Sequence, residues 1–191
     1  MKKLMPMLMI LLTGAFSFAQ GSYQPTQIQV IPASELSITG DTNINTFECE
    51  FNASYTSEAQ KIFYSQNKSQ INFTGAILKL DTKGFDCGNK AINKDFNSLV
   101  KSDRHPEILL EVNRVKIDSQ TSGIANVCIT IAGRQKVYDV PVQIKNDEIA
   151  QFSGTLELNI NDYGLEPPKK LFGMIQVKDE IEIKFNLKVK N

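Results

Sequence analysis

The sequence predicts an all-β protein, an antiparallel barrel of about eight strands with one amphipathic helix. Apolar and polar residues alternate with a period of two through most of the chain after Ser34, which indicates strands with one apolar and one solvated face. Short polar turns separate these runs and favour antiparallel neighbours, because parallel pairs need long crossovers. Such a sheet must close or double over to bury its apolar face, so a two-sheet sandwich is the alternative to the barrel.

The first element along the chain is a predicted signal peptide over residues 1–19. Lys2 and Lys3 precede an apolar run that is too short to span a bilayer, and Ser17 and Ala19 are the small residues that a signal peptidase reads. We therefore expect a mature domain over residues 20–191, exported to the periplasm or, as the second choice, secreted. After cleavage no integral membrane anchor is expected.

The predicted strands follow in order. Their apolar residues are mostly β-branched or aromatic, which favours strand over helix. The last run is the clearest, because five apolar residues from Ile181 to Val189 alternate with Glu, Lys and Asn. The main alternating runs are 36–39, 47–54, 108–113, 138–145 and 181–190.

One segment, about 89–101, breaks the alternation and predicts the helix. Asn89 is a suitable N-cap, and Pro106 disfavours helix at the residue before it. No second helix of comparable length is predicted, so the apolar face of this one must lie on the sheet. That face consists of Ile92, Phe96, Leu99 and Val100.

The chain has three cysteines, and export would place them in an oxidising compartment. Cys49 lies in a predicted strand and Cys87 in a Gly-rich turn, and we predict a disulfide between them with Cys128 free. Spacing alone leaves all three pairings open. The chain has no Cys-x-x-Cys motif, so a thioredoxin-like redox role is not expected.

Composition and motifs exclude several kinds of chemistry. The formal net charge is zero, which gives no reason to expect a nucleic-acid partner. His105 is the only histidine, so one chain cannot build a zinc site from several imidazoles. No phosphate loop, nucleophile elbow or His-Glu-x-x-His motif is present. We therefore predict a non-enzyme with no catalytic residue, metal or cofactor, and interpret His105 as a polar loop residue.

Four segments carry a resemblance to a known family, and they span nearly all of the mature chain. They read as an opening strand pair, a helix followed by a Pro-x-Ile strand start, an apolar-Thr-apolar-x-Gly hairpin and an Asp-aromatic-Gly loop. Their positions are 34–40 with 46–47, 96–101 with 105–108, 127–136 and 161–165. In this order they resemble the YceI-like family of exported lipid-binding proteins with a lipocalin-like barrel.

The resemblance implies an extended eight-stranded barrel that holds a long-chain isoprenoid lipid for transport or storage. Such a site needs no signature residue, because each buried CH₂ contributes about 0.8 kcal/mol. The candidate lining residues are the apolar side chains expected to face inward: Phe47, Phe51, Phe73, Phe96, Leu99, Ile108, Leu110, Ile129, Ile131, Val140, Val142, Phe152, Leu156, Phe172 and Phe185.

The same apolar stripes have a second interpretation, since most such stripes fill a dry core. The alternative is a filled barrel or sandwich that acts as an interaction or stress protein without a lipid ligand. The oligomeric state, a dimer included, stays open at this point.

Overall fold

The computed structural model describes residues 22–56, 58–167, 169–170 and 175–190. The predicted signal peptide over 1–19 and the candidate Phe172 lie outside these residues. None of the described helices is both long and apolar enough to cross a membrane.

The described chain is mostly strand, with one α-helix and three short 3₁₀ turns. The helix α1 covers Lys90–Leu99, and the 3₁₀ turns are Ala53–Thr56, Thr82–Gly84 and Ile160–Tyr163. The strands are β1 (Gln24–Val30), β2 (Glu35–Thr42), β3 (Thr46–Phe51), β4 (Gln60–Gln66), β5 (Gln70–Thr74), β6 (Ile77–Asp81), β7 (Phe85–Asp86), β8 (Glu107–Ile117), β9 (Ser122–Ile131), β10 (Arg134–Asn146), β11 (Ala150–Asn159), β12 (Lys169–Lys170) and β13 (Ile175–Lys190).

Eight of these strands form a closed antiparallel ring, which confirms the predicted all-β barrel. The order is β1-β4-β5-β8-β9-β10-β11-β13, and β13 returns to β1 through Val189 opposite Val30. The inward and outward alternation is clearest in β9, where every second residue from Gly123 to Ile131 is buried. The hairpin from β9 to β10 turns through Ala132 and Gly133, both with positive φ, as a two-residue type I′ turn requires.

Two strands of the barrel, β8 and β13, each share one edge between two neighbouring strands. The first half of β8 pairs with β6 and the second half with β5. In the same way β13 pairs with β2 and then, near its end, with β1. The sheet continues from β2 through β3 to β7. At this end of the described structure β7 and β6 are not paired, so main-chain hydrogen bonds do not close the barrel there.

Helix α1 begins directly after β7 and covers this opening. The Asn89 side chain accepts hydrogen bonds from the backbone N–H groups of Ala91 and Ile92, both at 3.0 Å, and so caps the helix. Lys101 has a left-handed φ of 56° just past the C-terminal end. The helix ends at Leu99, two residues before the predicted boundary of about 101, because the backbone at Lys101 leaves the helical conformation.

Candidate ligand cavity

A cavity lies inside the barrel at the end that α1 covers. The centres of water molecules could occupy about 60 Å³ of it. Strands β2, β6, β7, β8, β9 and β13 form its walls, together with α1, the residue that follows it and the loop that follows β11. All fourteen lining side chains are hydrocarbon: Leu36, Ile38, Leu80, Phe85, Phe96, Val100, Ile108, Leu110, Ile129, Ile131, Ile160, Leu165, Ile181 and Ile183.

A second, smaller cavity of about 10 Å³ continues the interior towards β1. Its lining combines apolar residues such as Val30 and Phe51 with the polar Ser34, Glu35 and Thr56. Leu36 and Leu80 line both cavities and therefore form the partition between them.

The α1 side of the large cavity is a short stack of aromatic rings. The ring centroids of Phe51 and Phe85 are 4.8 Å apart, and those of Phe85 and Phe96 are 4.9 Å apart. Both pairs are tilted, which is a favourable arrangement for aromatic rings. Phe96 is thus the contact through which the helix packs on β7.

The start of α1 is tied to β7 and β3. A disulfide joins Cys49 of β3 to Cys87, the two cysteines that the sequence analysis pairs, and Cys128 is free. Asn93 accepts a hydrogen bond from the Cys87 backbone N–H at 2.6 Å and donates one to Asp86 at 3.0 Å. The bond from Asn93 and one from the Gly88 backbone N–H lower the pKa of Asp86. These contacts anchor the N-terminal end of the helix.

The opposite side of the cavity is the loop over residues 160–165, which we call the closing loop. Its first and last residues, Ile160 and Leu165, are buried and line the cavity. Asp162 accepts a hydrogen bond from Lys136 of β10, and this bond raises the pKa of the lysine. Gly164 has a left-handed φ of 60°, and a Cβ there would lie 2.5 Å from the guanidinium carbon of Arg134. Lys136 thus ties the loop to β10, and the Arg134 side chain lies close to Gly164.

Titratable groups do not contribute to the lining of the large cavity. His105 is half-buried and lies against the β9–β10 turn, where a Cβ on Gly133 would be 2.9 Å from its ring. Among the described residues no three His, Cys, Asp or Glu side chains group as metal ligands do. The chemistry offered by the cavity is therefore the binding of hydrocarbon.

The structure brings only part of the predicted lining together. Five candidates line the large cavity: Phe96, Ile108, Leu110, Ile129 and Ile131. Phe51 lines the small cavity. Seven others lie in the surrounding core or pack against it: Phe47, Phe73, Leu99, Val140, Val142, Leu156 and Phe185. Phe152 is half-buried outside that cluster, and Phe172 lies outside the described residues.

Nine lining residues were not among the candidates. Four of them belong to runs whose alternation was visible, namely Leu36, Ile38, Ile181 and Ile183, so their parity could have identified them. Ile160 and Leu165 sit in a loop, where no periodicity indicates which side chain turns inward. The remaining three are Leu80, Phe85 and Val100.

Comparison with known proteins bears on both fold and family. BcnA from Burkholderia cenocepacia has a similar structure, with a TM-score of 0.65 and 20% sequence identity, and the match covers 85% of this chain and 99% of that chain. A polyisoprenoid binding domain from Saccharophagus degradans matches with a TM-score of 0.62 and 11% identity, covering 85% and 97%. No curated protein matches the sequence. The model of the YceI-like domain matches residues 24–189, and the chain therefore belongs to the YceI-like family.

Proposed function

We propose that this protein binds a long-chain lipid of the isoprenoid type in the barrel cavity, without catalysing a reaction. The observation that carries the proposal is the purely hydrocarbon lining of a cavity inside a closed barrel. A lipid chain that enters it leaves water at about 0.8 kcal/mol for each CH₂ buried. Binding of this kind requires no polar contact along the chain, and its selectivity comes from the length and shape of the cavity.

The size of the cavity limits what the present conformation can hold. One water molecule needs about 10–15 Å³ on this measure, so 60 Å³ accommodates a few water-sized groups, or the end of an apolar chain. A longer chain requires Leu36 and Leu80 to move and join the two cavities, or α1 to lift. We infer that the lipid enters by the α1 end, where the barrel is closed by side chains and not by strand pairing.

The comparisons support a lipid as the ligand. One structure with the same fold is named as a polyisoprenoid binding domain. An isoprenoid chain carries methyl branches at regular intervals. The Ile, Leu, Val and Phe side chains of the lining can make van der Waals contacts with these branches. Transport or storage of such a lipid is the role that we assign to a barrel with no reactive group in its lining.

Export forms part of the same proposal. The signal peptide predicted over residues 1–19 would direct the chain to the periplasm, or outside the cell as the second choice. The disulfide between Cys49 and Cys87 supports an oxidising compartment, since such bonds are rare in the cytosol. Western blotting of periplasmic and cytosolic fractions tests this part, and a cytosolic protein that retains residues 1–19 would contradict it.

Native mass spectrometry of the exported protein, incubated with isoprenoid alcohols of increasing chain length, tests lipid binding. The variant Leu110→Trp fills the cavity, and Val137→Trp adds the same ring on the exposed outer face of β10. We expect one bound lipid in the wild type and in Val137→Trp, and at least a tenfold lower bound fraction in Leu110→Trp. If Leu110→Trp does not fold, Ile183→Phe replaces it.

The small volume of the cavity favours one alternative, a filled barrel that acts as an interaction protein without a lipid. Under this alternative the wild type carries no lipid after purification and takes none from the mixture. Equal binding to wild type and Leu110→Trp would instead place the lipid outside the cavity. Either result overturns the proposal.

A further inference from the structure

The outer face of α1 carries exposed lysines and no exposed acidic residue. Within the helix the exposed residues are Lys90, Ala91, Lys94 and Ser98. Lys90 and Lys94 are four residues apart and therefore lie on the same side of the helix. Lys101, also exposed, follows the C-terminal end. We call these three lysines the basic stripe.

The basic stripe lies on the side of α1 that faces away from the cavity. Phe96 of the helix and Val100 directly after it line the large cavity. At 3.6 residues per turn, Lys94 stands about 200° around the helix axis from Phe96. The element that separates the hydrocarbon cavity from its surroundings thus presents positive charge outward.

Nearby carboxylates do not neutralise the stripe. None of its three lysines forms an ion pair with another described residue. Asp95, the only acidic residue of α1, is half-buried on the flank of the helix. Asp86, before the helix, accepts a hydrogen bond from Asn93. Beyond the helix Asp103 is followed directly by Arg104, and both are exposed, so their formal charges cancel.

Other surfaces of the barrel carry a different distribution of charge. The outer face of β3 exposes Glu48 and Glu50, and on β13 Lys184 pairs with Glu182 at 2.8 Å. The formal net charge of the chain is zero, so the protein as a whole has no general attraction to an anionic surface. A local positive stripe over the cavity end would instead turn that end towards such a surface.

We propose that the basic stripe docks the covered end of the barrel onto a membrane that carries anionic lipids, where the apolar ligand is exchanged. This inference rests on the proposed function and names the partner of the same site. A long isoprenoid chain is driven out of water by the hydrophobic effect, so it must come from a membrane and return to one.

The expected strength of this contact suits a carrier. A lysine close to an anionic bilayer contributes about fivefold to binding. The apolar face of α1 already covers the cavity and does not add to the attraction. Three lysines therefore give a weak, reversible and salt-dependent contact, which releases the protein after each exchange.

Vesicle co-sedimentation at low ionic strength tests the docking. The vesicles contain phosphatidylcholine alone, or phosphatidylcholine and phosphatidylglycerol in equal parts. The stripe variant is Lys90→Gln/Lys94→Gln/Lys101→Gln. The control removes the same charge from exposed positions near the opposite ends of β4, β8 and β10, in the variant Lys68→Gln/Lys116→Gln/Lys145→Gln. Circular dichroism verifies that both variants fold.

We expect the wild type and the control to bind the anionic vesicles and not the neutral ones. The partition coefficient of the stripe variant should be about a hundredfold lower, the product of three fivefold losses. Equal binding of wild type and stripe variant, an equal loss in the control, or equal behaviour of the wild type with both kinds of vesicle overturns this inference. Binding to a poly-glutamate peptide without binding to anionic vesicles would assign the stripe to an acidic protein and also overturns it.

A second measurement separates this inference from the proposed function. Radiolabelled phytol in detergent micelles reaches the protein without a membrane, so the stripe variant should bind as much of it as the wild type. From anionic vesicles the stripe variant should take up phytol more slowly than the wild type and the control. Equal rates from vesicles overturn the inference and leave the proposed function intact. Failure of the wild type to bind phytol from micelles, with docking to anionic vesicles retained, overturns the proposed function instead.

Discussion

The two ends of this barrel are closed by different means. Where β1, β4 and β5 stand between β13 and β8, neighbouring strands are joined all the way round by main-chain hydrogen bonds. Where β2, β3, β7 and β6 take their place, the ring is interrupted between β7 and β6. Helix α1 and the closing loop cover that end through side-chain contacts. The larger cavity lies behind them, at the end where the ring of strand pairs is incomplete.

The disulfide gives the largest expected effect on this difference. It closes a loop with a sequence separation of 38 residues, and loop entropy predicts a contribution of about 4 kcal/mol to stability. Removing it with Cys49→Ala/Cys87→Ala should lower the free energy of unfolding by that amount, measured by chemical denaturation. The control Cys128→Ala should change it by about 1 kcal/mol or less. A double variant as stable as the control would show that the covered end does not depend on this bond.

The partition between the two cavities comes next. Leu80→Ala removes a buried side chain that both cavities share, and such truncations cost about 2–5 kcal/mol. The joined cavity should also shift binding towards longer isoprenoid alcohols. Leu109→Ala, on the neighbouring strand but facing outward, should cost about 1 kcal/mol and leave chain-length preference unchanged. If both variants show the wild-type preference, the leucines do not limit the length of the ligand.

The next variant has a smaller expected effect on stability and tests whether the two ends of the barrel differ in their dynamics. Asn89→Ala removes the N-cap of α1 and should cost about 1 kcal/mol. Because the helix packs on the barrel through few residues, we expect faster amide hydrogen exchange in α1, with the strands β4 and β5 unaffected. Equal acceleration in helix and strands would mean that both ends open together.

The smallest expected effect is on the pH dependence of stability, through a carboxyl group on β2. Hydrogen bonds from Thr46 and Lys178, together with the charge of Lys178, lower the pKa of Asp41. A carboxyl group whose pKa falls on folding stabilises the fold above its unfolded pKa, and this contribution disappears as the pH falls through the lower, folded value. The melting temperature should therefore decline less below pH of about 4 in Asp41→Asn than in the wild type. Parallel curves would contradict this.

The sequence predicted the strands better than the site, for a physical reason. Alternation reports which face of a strand is buried, and the ring of strands and the capped helix followed from it. The lining depends on where along the axis each inward residue falls, which alternation does not specify. Val140 and Val142 face inward as expected but lie in the core outside the cavity lining, whereas Ile131, on the neighbouring strand, lines it.

Loop residues escaped prediction altogether. Ile160, Tyr163 and Leu165 are buried in the closing loop, which packs against β10 where Lys136 pairs with Asp162 and Arg134 lies close to Gly164. Those contacts join residues about 30 positions apart, and no local pattern in the sequence reveals them.

Photo-crosslinking with a diazirine-bearing isoprenoid alcohol tests the central claim most directly, because it reports where the lipid lies. The account predicts crosslinks in peptides that contain Phe96, Ile131 and Ile183, and their loss in Leu110→Trp but not in Val137→Trp. Crosslinks confined to the outer face, for example at the exposed Tyr55 or Phe63, would contradict it.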